Sequence, residues 1–115
     1  MFSFIKKVGD NLRQETRLIK EILKSKYPDK KFRFRYKTAS NYCDSSDTLI
    51  VTCERWMDID EVISFIRQYV DGIKVFKYGD VASIHHRHFT SQILSIETNE
   101  WIEAGLMEFI EVRNE

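Results

Sequence analysis

Leu12, Thr16, Ile19, Leu23 and Tyr27, flanked by Leu18 and Ile22, recur at helical spacing. This pattern predicts an amphipathic helix from Asp10 or Asn11 to about Lys26, with either residue as N-cap and Pro28 as the stop. After the turn Pro28-Asp29-Lys30, the run Lys31-Phe32-Arg33-Phe34-Arg35-Tyr36-Lys37 alternates cation and aromatic, the signature of a strand with two unlike faces. A polar run from Thr38 to Asp47 reads as a loop, and Thr48 to Trp56, rich in β-branched residues, as the second strand of a hairpin-like pair. Asp58 and Glu61 stand as in a capping box before Ile59, Val62, Ile63, Ile66, Tyr69 and Val70, predicting a second helix that ends before Gly72. Ile73 to Phe76, Gln92 to Glu97 and Met107 to Val112 read as short strands, while Thr98 to Gly105 reads as a helical turn or a loop. The expected architecture is a single α+β domain over residues 1–115, with order α-β-β-α and then short strands, one sheet and both helices on one of its faces.

The 115 residues are 43% hydrophobic and 31% charged, with one proline and four glycines, which excludes collagen-like, low-complexity and wholly disordered chains. Charges interrupt every apolar stretch before it reaches the roughly 18 residues of a membrane span. The start MFSFIKKVGDNLRQ lacks the apolar core and cleavage site of a secretory signal, so Cys43 and Cys53 are expected to stay reduced and the protein to be cytoplasmic.

Cations and anions balance at 18 each but are segregated. Residues 1–40 hold twelve cations against four anions, and residues 41–115 hold six against fourteen. Such a field steers polyanions to one surface and cationic partners to another, unless the acidic strands fold back beside the basic segment and neutralise it.

The segments LIKEILKSKYP, PDKKFRFRYK, TLIVTCERW, DIDEVISFIRQY and DGIKVFKY, taken in order over about residues 16–78, resemble a large polyvalent protein-associated domain family of phages and conjugative elements. The resemblance implies a phage or plasmid context and a binding role. It carries no catalytic motif to these positions.

Lys31, Arg33, Arg35 and Lys37 repeat about every 6.5 to 7 Å along a strand, a separation suited to successive phosphates of one nucleic-acid strand. Arg13, Arg17, Lys20 and Lys24 form one stripe along the first helix and are expected to extend that surface if the helix packs alongside. The competing reading is a solvated sheet face with aliphatic stems lying over it, balanced by carboxylates such as Glu54. Phe32, Phe34 and Tyr36 are needed by the core, which leaves Tyr42 and Trp56 as the nearby rings for base stacking. His85, His86 and His88, with Asp80, are a weak metal motif without a recognised ligand spacing, and join Lys74, Lys77 and Arg87 as a possible second phosphate patch. No metal or cofactor is expected.

The carboxylates Glu97, Glu100, Glu103, Glu108, Glu111 and Glu115 form an acidic surface with Trp101 inside it, which suits a protein partner or serves only to keep sheet edges apart. Cys43 has no histidine nearby in sequence, and there is no serine elbow or phosphate-cradling glycine loop, so an enzyme is not expected. Two functions are therefore carried forward. One is nucleic-acid binding through Lys31, Arg33, Arg35 and Lys37 with the helix cations. The other is inhibition or adaptation of a host defence complex, of the anti-restriction or anti-CRISPR kind, through Trp101, Glu100, Glu103 and Glu108.

Overall fold

A computed structural model describes residues 8–37, 47–79, 91–104 and 107–115, with the side chains of 8–12 and 47 excepted. Helix α1 spans Val8–Lys26. Its start precedes the expected caps, so Asp10 and Asn11 stand within the first turn. A local capping preference is weaker than a helical repeat that already includes Val8 and Leu12. Tyr27 closes the last turn on Leu23, and Pro28 follows.

Strand β1 is Arg33–Lys37, so Lys31 and Phe32 lie just before it. Strand β2 is Asp47–Cys53. It stops short of Trp56 because Glu54 to Met57 form a turn, closed by the Met57 N–H on the Glu54 carbonyl. Helix α2 spans Ile59–Arg67, capped by Asp58, whose carboxylate accepts the N–H groups of Asp60 (3.0 Å) and Glu61 (3.3 Å). The Glu61 side chain turns to α1 and accepts the Tyr27 hydroxyl at 3.1 Å. The helix ends at Arg67, earlier than expected, because Val70 and Asp71 leave it as the short strand β3. Gly72, at φ 81°, then makes the left-handed turn into β4 (Lys74–Lys77). Strands β5 (Gln92–Leu94), β6 (Trp101–Glu103) and β7 (Met107–Asn114) complete the order. Residues 101–103, expected as a helical turn or loop, are thus a strand that pairs antiparallel with β5.

The α+β class is as expected, but the strands divide into two sheets and not one. The larger has the order β1-β2-β7-β4, and the smaller β3-β5-β6. In the larger sheet β1 and β2 are antiparallel, whereas β7 enters between β2 and β4 parallel to both. A bulge lets Asp47 face Met107 and Thr48 face Phe109, which turns Met107 into the core.

One apolar cluster gathers Leu18, Ile19, Ile22 and Leu23 of α1, Val62 and Ile66 of α2, and Leu49, Val51, Val75, Ile110 and Val112 of the large sheet. Ile93 brings the small sheet into the same cluster. Both helices therefore cover one face of the large sheet. Phe34 and Tyr36 pack on that side, as their alternation with the cations requires.

Candidate nucleic-acid interface

The pairing register sorts the other face of the large sheet into rows. Lys37, Thr48, Phe109 and Lys74 form one row across β1, β2, β7 and β4. Arg35, Ile50, Glu111 and Phe76 form the next. Arg33, Thr52 and Arg113 form the third, continued by Tyr78, whose ring lies 4.1 Å from the Arg113 guanidinium.

This face carries five cations, Arg33, Arg35, Lys37, Lys74 and Arg113, against the carboxylates of Glu111 and Glu115. Arg33 reaches Glu115 at 2.5 Å, and Arg113 holds Glu111, with Nε 3.1 Å from its Oε2. Arg35 and Lys37 are exposed, and no carboxylate among the described residues forms an ion pair with either. The acidic carboxyl-terminal strand does fold back, but onto β2 and β4. It neutralises one end of the basic strand through Glu115 and leaves the other end charged.

Lys31 lies outside the strand, where its backbone N–H donates to Glu54 at 2.8 Å. The helix cations take a different place from the one expected. Arg13, Thr16, Arg17 and Lys20 line a hollow with Tyr36, on the helix side of β1, and the Lys20 ammonium sits 5.3 Å from the Phe34 ring. Arg13, Arg17, Lys20 and Lys24 are exposed on α1. The two cation sets lie on opposite sides of the sheet and meet only around its edge strand β1. Burial, with Glu15 nearby, pushes the Tyr36 hydroxyl up to about 12, so this ring enters the hollow neutral.

Trp56 is 91% exposed and overhangs a hollow that it shares with Tyr27, Met57 and charges of both signs. Lys30, Lys31 and Arg55 are there outnumbered by Glu54, Asp58, Glu61 and Glu115, so this hollow does not continue the cationic face.

In the acidic half, Trp101 is 47% exposed and Glu103 lies on the same side of edge strand β6, with Glu100 exposed just before it. Glu108 is not beside them along a strand, because it stands at the bulge of β7 in the other sheet. Lys77 is on the helix side of the large sheet, 3.6 Å from Asp60, and does not share a face with Lys74.

Asp80, His85, His86, Arg87 and His88 lie outside the described residues, as do Tyr42 and Cys43. Among the described residues no three His, Cys, Asp or Glu side chains group as metal ligands. Cys53 is a free thiol in the core, pushed up to about 12 by burial, and is protonated at neutral pH. No described helix is long and apolar enough to cross a membrane.

Sequence reasoning missed Arg113, Phe76, Phe109 and Tyr78, and placed Lys74 in a second phosphate patch with Lys77 and Arg87 rather than in the row of Lys37. Alternation within β4 and β7 separates their two faces, but which strands become neighbours depends on pairing between distant segments. No family model matches the chain, and no curated protein or solved structure matches it.

Proposed function

We propose that the protein binds nucleic acid through the cation-bearing face of its four-stranded sheet, at the β1 edge. The observation that carries this reading is the pair Arg35 and Lys37, exposed and without an ion-pair partner among the described residues, with Lys74 in the same row as Lys37. Cations at strand spacing contact phosphates, which supplies affinity without base readout. The helix cations line the reverse side of β1 and belong to a strand's path only if it wraps the sheet edge. A role as a phage or plasmid accessory protein rests on the resemblance over residues 16–78 alone.

Titration of labelled DNA and RNA at two salt concentrations tests the reading. With three to five phosphates neutralised, the log-log slope against salt is expected between about −2 and −3.5 for a single strand. The double reversal Arg33→Glu, Arg35→Glu is expected to abolish that binding. Retention of full affinity by the double variant, or no binding of any nucleic acid at low salt, rejects it.

A second reading, a protein partner for the acidic half, is favoured by the exposure of Trp101 beside Glu103 on edge strand β6. An exposed indole is the kind of side chain that anchors an interface. Salt separates the two, since such a partner gives a shallower dependence.

A further inference from the structure

Two phenylalanines lie on the face of the large sheet turned away from the helices, outside the apolar cluster. Phe76 and Phe109 stand on adjacent strands, half-buried, with ring centroids 6.3 Å apart and planes at 77°. Neither belongs to the apolar cluster that binds the sheet to the helices. Beside them the Tyr78 ring is 61% exposed under the Arg113 guanidinium. Ile50 and Glu111, between these phenylalanines and Arg35, are buried, so the two rings flank a covered centre of this face, while the Tyr78 ring stays in solvent.

The aromatic group occupies the β7 and β4 side of the face, and Arg35 and Lys37, without an ion-pair partner among the described residues, occupy β1. Two to three strand spacings separate them, about 10 to 15 Å. Lys74 adds a cation on the aromatic side, in the row of Phe109. The face is therefore amphipathic across its width, with π surface at one edge and positive charge at the other.

We infer that the ligand of this face is a single-stranded nucleic acid, with bases stacked on Phe76, Phe109 and Tyr78 and its backbone led across Arg35 and Lys37. The inference rests on the nucleic-acid reading above and narrows it. A duplex buries the faces of its bases and offers these rings nothing, whereas an unpaired strand presents π surface and phosphate together. Stacking is tolerant of sequence because every base has a π face, and three rings accommodate about two to three bases. RNA and DNA single strands share this chemistry. A second copy of the chain is a poor occupant, because it brings Arg35 and Lys37 against the same cationic face.

Fluorescence anisotropy with labelled oligo(dT) and oligo(U) of about 12 nucleotides tests this, alongside an abasic phosphodiester strand and a duplex of the same length. The variants are Phe76→Leu with Phe109→Leu, which keeps apolar bulk on the sheet, and Arg35→Glu. Intact single strands are expected to bind about tenfold or more tighter than the abasic strand. The double leucine variant is expected to lose that factor with its salt slope unchanged, and Arg35→Glu to lower the slope. The preference between oligo(U) and oligo(dT) distinguishes RNA from DNA.

Equal binding of intact and abasic strands, or a duplex bound as tightly as a single strand, overturns the stacking inference and leaves backbone binding in place. A dimer that the double leucine variant dissolves also overturns it, by giving the rings to a second copy. If none of these strands binds at low salt, both the inference and the reading beneath it fail.

Discussion

Glu21 ties α1 to the β5–β6 turn. Its carboxylate accepts the Ser95 hydroxyl and the Glu97 N–H, each at 3.0 Å. The Glu97 N–H is the main cause that holds this carboxyl below its ordinary value of 4.5, with the Ser95 hydroxyl adding to it. A lowered folded value means that the carboxylate form stabilises the fold above the unfolded value, and that this stability is lost as pH falls through the folded one. Glu21→Gln is expected to lower stability by about 1 kcal/mol at pH 7. The deficit should shrink as pH falls from about 5 to 3, which urea midpoints across that range will show. Nothing in the sequence marks Glu21 for this task, since it lies in a charged helix and its partners are more than seventy residues away. The Asp58 cap was readable because its donors are two and three residues on.

At the scale of elements, the cap of α2 is the feature most open to direct trial. Asp58→Ala removes the acceptor of two N–H groups at the helix start and is expected to cost about 1 kcal/mol, read as a lower urea midpoint with unchanged slope. Both helices and the alternating β1 were legible because their apolar periods are long and clean. The short β3 and β6 were not, for two and three residues carry too little periodicity to be told from turns. The cationic side of β1 followed from alternation alone. The expected union of its cations with those of α1 did not follow, because Phe34 and Tyr36 draw the helix to the opposite side of the strand.

For the whole molecule, the decisive feature is the central place of β7. Ile110 is fully buried, beside Leu49 of β2 on one side and Val75 of β4 on the other. Ile110→Ala is expected to cost about 2 to 5 kcal/mol, a large part of the roughly 5 to 15 kcal/mol that holds a domain of this size together. Thermal and urea unfolding of the variant measure it. The aromatic half of the candidate interface exists only because β7 enters there, which is why no reading of single segments could find it. The same insertion sets an order of assembly. Leu49 and Ile110 are neighbours in space but about sixty residues apart along the chain, so their pairing closes a long loop and comes late. Until it closes, a nascent chain carries β2 and β4 with open inner edges, the state in which strands capture strands of other molecules. Placing the central strand so far along the chain leaves those two edges unpaired until β7 arrives between them.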